Sequence, residues 1–275
     1  MTVHPSLQNY ADAWTHSIEA ISELVSPLVE GEWNRRTPCP AWSVRDIVSH
    51  IIGMECEMLG DPRPIHTLPR DLFHVQRSEF ARYMETQVDV RRHHTSPEMV
   101  AELEYTVIRR SRQLRNESRA PETMVPAPLG AQQTLENALR FRAFDVWVHE
   151  QDLRAALGQP GNLDSPGAIV TRDLLLDALP KVVAKNAGAP PNSAVVVDVH
   201  GPVEFLRTVR VDQDGRGTID GSPSLGPLVT LALDWETYVR LACGRVRADQ
   251  VAEHIKVEGD QELAAAILRE FAVTP

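Results

Sequence analysis

The stretch LRFRAFDVWVHEQDLRAALGQP, residues 139–160, decides how the first half of this chain folds. It reads as the end of a helix running from about Gln132 to Leu157, with Gly158 supplying the left-handed cap that closes it. Working back toward the N-terminus, four further helices precede it. In the first, Leu7, Tyr10, Trp14, Ile18, Ile21, Val25 and Leu28 recur at three- and four-residue steps and make one apolar stripe. The second starts at Ser43, whose side chain can cap it, with Asp46 in the first turn and Trp42 and Ile47 placed as a hydrophobic staple. It is expected to stop near Gly60-Asp61-Pro62, where a proline-broken segment begins. A third helix is expected from Val75 to Arg91. A fourth begins at Thr95-Ser96-Pro97 and runs through Val100, Leu103, Val107 and Leu114. Residues 121–130 read as a proline-marked connection. The pattern predicts an up-down four-helix bundle over residues 1–160.

Beyond Gly158 the character changes. A helix is expected over Ile169–Val183. Ala194–His200 is valine-rich and reads as a strand. Leu206–Val211 and Gly217–Ile219 flank Asp214-Gly215 as a hairpin. Leu228–Ala232 reads as another strand. Asp234 caps a short helix to Cys243, and Asp260 caps a last one through Phe271. Residues 161–275 are therefore expected to form a small α+β domain with an antiparallel sheet, so the fold class is α+β in two domains.

The 275 residues suffice for two domains, and 43% apolar with 24% charged residues is a globular composition. No apolar run approaches the ~18 residues of a membrane span. The first residues lack the basic and apolar regions of a signal peptide. A formal charge of -10 argues against a nucleic-acid binder. Three cysteines, Cys39, Cys56 and Cys243, form neither a disulfide framework nor a CxxC pair, and a reducing cytoplasmic location is expected. No exposed apolar stripe is left over, so a monomer is expected. Of the 28 basic residues only Lys181, Lys185 and Lys256 are lysine, a bias that GC-rich coding produces.

The chemistry concentrates in residues 139–160. Asp145 and His149 stand four apart, on one helical face, and Arg142 and Asp152 continue that stripe. A carboxylate and an imidazole at this spacing can ligate a divalent metal. His50, at the margin of the second helix's apolar face, offers a third ligand. Three protein ligands would leave coordination positions open, as catalytic metals need. The same spacing also suits a structural hydrogen bond. Glu150 points about 100° from His149. His93 and His94 are expected to be solvated, and His66 and His74 lie on the loose segment, where they could ligate although nothing in the sequence supports it. Cys39, between Pro38 and Pro40, is expected to be structural, and none of the three thiols reads as a metal ligand. Arg245, after Gly244, is either a helix-end cation or an anion clamp for a substrate carboxylate. No GxGxxG, P-loop or nucleophile-elbow pattern is present.

The segments TPCPAWSVRDIVSHIIGME and LRFRAFDVWVHEQDLRAALGQP, with SPEMVAEL between them, resemble the motifs of the DinB-like, mycothiol-dependent maleylpyruvate isomerase family. The second half, including LACGR and VEGDQELAAAIL, resembles the sterol-carrier-like domain that follows in that family. The resemblance implies a zinc or similar divalent metal on His50, Asp145 and His149, with mycothiol as thiol cofactor or co-substrate. The family's middle ligand is a glutamate, one methylene longer than Asp145, and its glycine after the second histidine is Glu150 here. The functional arginine of the family's Gly-Arg pair matches Arg245. The arginine bias is consistent with an actinobacterial source.

Three functions follow. The first is a metal-dependent thiol transferase acting with mycothiol on a small electrophile. The second is a mycothiol-dependent cis-trans isomerase of the maleylpyruvate type. The third is a non-enzymatic small-molecule-binding or regulatory protein.

Overall fold

The computed structural model describes residues 3–274 except 77, 223 and 225. The chain divides into two compact units: residues 1–161 with 165–170, and residues 162–164 with 171–275.

The first unit is helical. It contains α1 (Gln8–Val25), α2 (Val44–Met58), α3 (Glu79–Asp89), α4 (Ser96–Arg115) and α5 (Leu135–Leu157). α1 packs along α5 and against α4, while α2 packs against α4 and α5, and these four make the bundle. α3 is an addition that packs on α2. Its close approach depends on Gly53, where a Cβ would stand 2.4 Å from Cβ of Gln87. The apolar stripe of α1 is buried as its spacing requires, with Trp14, Ile18, Ile21 and Val25 in one core with Ile47, Ile51, Met99, Leu139 and Val146. α2 starts at a capping box: Ser43 N–H donates to Asp46 Oδ2 (2.9 Å) and Asp46 N–H donates to Ser43 Oγ (3.3 Å). α5 ends at Gly158, whose φ of 67° is the left-handed conformation expected there. Its start differs from the sequence reading. Gln132–Thr134 is a short strand (β2) paired antiparallel with Met124–Pro126 (β1), and the helix begins only at Leu135, capped by Thr134. α3 is also shorter than expected.

The second unit holds α6 (Pro166–Lys181, its first turn in the first unit), β3 (Ala194–His200), β4 (Phe205–Val211), β5 (Gly217–Asp220), β6 (Val229–Asp234), α7 (Trp235–Ala242), β7 (Ile255–Gly259) and α8 (Gln261–Arg269). The sheet order is β5-β4-β3-β6-β7. The expected β4–β5 hairpin is present. The sheet is not wholly antiparallel, because the central pair β3 and β6 is parallel, with Val195 opposite Val229 and His200 opposite Asp234. Val195, Val196 and Val197 are buried in succession, so β3 is covered on both faces, as central strands with parallel neighbours are. β7, an edge strand with alternating exposure, was not expected from sequence. Against this sheet Tyr238 lies among Trp235, Phe205 and Phe271, with ring centroids 5.9, 5.2 and 5.5 Å away. Burial pushes its hydroxyl pKa up.

Candidate metal centre

α2 and α5 bring together the Asp145–His149 pair singled out by spacing and the third candidate, His50. His50 Nε2 lies 3.2 Å from Asp145 Oδ2, and His149 Nε2 lies 3.7 Å from Asp145 Oδ1. One donor atom from each of the three lies within 4.8 Å of the others. Ligands around one zinc-sized ion with bonds of ~2.0–2.2 Å stand about 3.3–3.6 Å apart in a tetrahedron. The donor set and its spacing therefore fit a divalent metal. Both imidazoles are buried, whereas the Asp145 side chain is 30% exposed, so solvent reaches the cluster from the Asp145 side.

The surroundings favour the ligating states of His50 and Asp145. Burial holds the His50 pKa below its ordinary value, against the pull of Asp145, so its lone pair is available at neutral pH. Burial alone would raise Asp145, but Arg142, His50 and His149 hold it well below the usual carboxylate range. Arg142 Nη1 donates to Asp145 Oδ2 at 2.7 Å. Its other two nitrogens are fixed by Glu55 Oε1, Nε at 3.0 Å and Nη2 at 2.7 Å. Glu55 also receives Trp14 Nε1 (2.9 Å) and Arg110 Nε (3.0 Å). Trp42 covers one side of the cluster, its ring centroid 4.9 Å from that of His50 and 5.9 Å from that of His149. The indole expected to staple the helix start thus lines the site, and its Nε1 donates to buried Glu85 Oε2 at 3.0 Å.

Behind His149, Asp152 Oδ2 lies 3.0 Å from Nδ1. Cys39 Sγ donates to the same oxygen at 3.2 Å, and Cys39, His149 and Asp152 form a second set of convergent donor atoms. The expectation of a merely structural Cys39 missed this contact. Glu55, which the sequence did not single out, stands 87 residues from the Arg142 it holds. The signal for Asp152 was its place on the Arg142–Asp145–His149 stripe.

The other sequence candidates make contacts of their own. Glu150 is fully buried and accepts from Arg154 Nε at 2.7 Å. His66 pairs with Asp89 (2.6 Å) and His74 with Glu85 (3.0 Å), so both have the partners the sequence did not show. His93 is exposed, and His94 is half-buried beside Glu102. Burial pushes the Cys56 thiol up, away from a thiolate. Cys243 is buried in the second unit. Arg245 follows Gly244, which has a φ of 66°, and its Nη1 donates to the Cys243 carbonyl at 2.6 Å, the contact of a helix-end cation.

The family model for the mycothiol maleylpyruvate isomerase N-terminal domain matches residues 14–154, more than half of the sequence. The chain belongs to the mycothiol maleylpyruvate isomerase family. The C-terminal domain model of that family matches residues 170–266. Two crystal structures of the mycothiol-dependent maleylpyruvate isomerase, one a histidine-to-alanine mutant, superpose with a TM-score of 0.56. They are 15% and, for the mutant, 14% identical to this chain, and each match covers 94% of it and 96% of theirs. At that identity the likeness establishes the two-domain α+β fold shared with this enzyme family. A sterol carrier protein 2-like chain from Aedes aegypti covers 36% of this chain at 15% identity, with a TM-score of 0.29, too slight to place a fold. A comparison with curated proteins gives no match. Among the described residues no helix is long and apolar enough to cross a membrane.

Proposed function

We propose that this chain is a mycothiol-dependent enzyme whose His50, Asp145 and His149 hold a divalent metal of the zinc class, and that its reaction is thiol transfer. The observation that carries the reading is the convergence of two buried imidazoles and one ionised, partly exposed carboxylate from α2 and α5. When bound, such an ion lowers the pKa of a thiol beside it, giving a thiolate at neutral pH.

The chain's own residues set the conditions for that chemistry. Arg142 keeps Asp145 ionised and aims it. Asp152 accepts a hydrogen bond from His149 Nδ1–H, which leaves Nε2 bare toward Asp145. Trp42 excludes water from one side of both imidazoles. A thiolate held beside these residues would bond to an electrophilic carbon as the leaving group departs with the electron pair of the broken bond. Asp145, in place of the family's glutamate, is the departure that touches the donors and supports a changed reaction. Glu150, the other departure, is engaged with Arg154. Arg245 enters as the proposed anion-holding catalytic residue through the family resemblance of its Gly-Arg pair.

The second reading is isomerisation of the maleylpyruvate type, favoured by the family match. There a thiolate would add to a cis double bond, rotation would follow about the resulting single bond, and departure of the same thiolate would give the trans isomer. Both reactions share the metal site, so metal content is the first test. Protein purified without chelator or metal-affinity tag should carry near-stoichiometric metal by mass spectrometry, and His149→Ala should lose it. Wild-type protein without metal, even after added zinc, would overturn the metal site. Turnover of maleylpyruvate rather than transfer of mycothiol to electrophiles would select the isomerase. Arg245→Ala should raise KM for a carboxylate-bearing substrate while leaving metal content unchanged.

A further inference from the structure

Asp152 is 2% exposed and lies one turn beyond His149 on α5. A carboxylate there can only accept hydrogen bonds, so the 3.0 Å contact makes His149 Nδ1 the protonated nitrogen. Neutral imidazole then has one bare nitrogen, Nε2, the one facing Asp145. The Asp152 oxygen that holds His149 is itself held by a second donor, the thiol of Cys39 at 3.2 Å. That thiol comes from another part of the chain and is fixed in turn. Cys39 N–H donates to Thr37 Oγ1 (3.2 Å), Thr37 Oγ1 donates to the Trp42 carbonyl (2.8 Å), and Trp42 N–H donates to the Cys39 carbonyl (2.9 Å). An antiparallel bridge between Arg36 and Ser43 closes the loop at its base. The loop thus carries Trp42 against the front of the two imidazoles and Cys39 to the support behind one of them.

We infer that Asp152 and Cys39 are positioning residues that together lock the tautomer and orientation of His149, setting how tightly the site holds its metal. Resting on the metal site proposed above, the inference adds a support built from two separate chain segments. Asp152 supplies the charge and Cys39 orients it. Removing a carboxylate behind a metal-binding histidine costs about 10- to 100-fold in metal affinity. Removing one hydrogen bond from a weak thiol donor that aims such a carboxylate costs about 2- to 10-fold.

The test uses the full-length chain with Cys39→Ala, Cys39→Ser and Asp152→Ala. Zinc affinity is read by chelator competition. The His149 tautomer is read from imidazole nitrogen shifts of the metal-free protein, and melting temperature controls for folding. Asp152→Ala should weaken zinc by about 10- to 100-fold and give a mixture of His149 tautomers. Cys39→Ala should weaken zinc by about 2- to 10-fold, and Cys39→Ser, which keeps a donor, should restore it. Native zinc affinity and unchanged nitrogen shifts in Cys39→Ala would overturn the role of Cys39, as would a serine variant no better than alanine. Metal-free wild type with the proton on Nε2 would overturn the tautomer lock. If Asp152→Ala fails to fold, the two Cys39 variants and the wild-type nitrogen shifts decide the matter. Cobalt substitution separates the remaining arrangement: a thiolate-to-cobalt charge-transfer band, lost in Cys39→Ser, would make Cys39 a ligand instead of a support. A wild type that takes up no zinc would overturn the metal reading alone, since the nitrogen shifts still report the tautomer.

Discussion

Among the described residues, every buried charged side chain belongs to the first unit. Glu55, Arg110 and Arg142 are 1%, 2% and 7% exposed there, and they lie beside a metal-type donor set. In the second unit the same depth is filled by Val195, Val197, Leu231, Leu233, Trp235 and Tyr238, with only threonine hydroxyls among the buried polar groups. A buried ion pair rarely gains on a well-packed apolar replacement, because desolvation offsets the attraction. The second unit therefore represents how a core of this size is built when only stability is at stake. The first unit departs from it where Arg142 must reach Asp145: Glu55 neutralises and orients that arginine, and Arg110 holds the second oxygen of Glu55. The buried charges around Arg142 belong to the chemistry of the site more than to the stability of the bundle.

The contrast can be broken most directly at Glu55. Glu55→Ala should destabilise the chain by about 3–5 kcal/mol in denaturant unfolding, because two guanidinium groups lose their buried counter-charge. It should also weaken metal binding by releasing Arg142 from its aim at Asp145. Leu231→Ala is the matching apolar deletion, expected to cost about 2–5 kcal/mol with metal content unchanged. Metal loss on Leu231→Ala, or none on Glu55→Ala, would remove the division of labour.

Acid sharpens the same comparison. Burial alone would raise Glu55, but Arg142 and Arg110 bring it below its ordinary value of 4.5 in the folded chain. The unfolded chain then takes the proton first as pH falls. The stabilisation is present above 4.5 and is lost as pH drops through the folded value. His50 works in the same direction from higher pH. Burial depresses its pKa below 6.5, so the unfolded state binds that proton first and stability declines from 6.5 downward. Hydrogen exchange on metal-free protein should show α2 and α5 losing protection from pH 6.5 toward about pH 4, while β3 and β6 keep theirs. Equal loss in both units would show that the buried charges do not govern acid stability. The smallest effect is expected at the start of α2. Ser43→Ala removes the cap below His50 and should cost about 1 kcal/mol, with a slight loss of metal affinity.

The helices were legible because their signals are local. Ser43, Thr95 and Gly158 act within a turn or so of where they stand, and the α1 stripe follows a fixed period. Asp145 and His149 were legible for the same reason, since a helix turns a spacing of four into a shared face. His50 required a second helix, and spacing alone offered it only as an option. What local pattern misses is pairing across the chain. The parallel register of β3 on β6, the β1–β2 pairing before α5 and the bonds from Cys39 to Asp152 and from Arg142 to Glu55 all depend on pairing that no local pattern shows. Trp42 shows the limit well. Its position before a cap suggested a staple, whereas its indole spans His50 and Glu85, 35 residues apart by sequence number.

α5 carries Arg142, Asp145, His149 and Asp152 on one uninterrupted helix. Each residue added or removed within that span would swing everything beyond it by about 100°. A single deletion at Val146 would turn His149 and Asp152 away from Asp145 together, although no donor had been replaced. Between Arg142 and Asp152 this chain is therefore far less tolerant of a change in length than of a change in side chain. The long connection between α2 and α3, which places none of the three donors, is where insertions and deletions in relatives should accumulate.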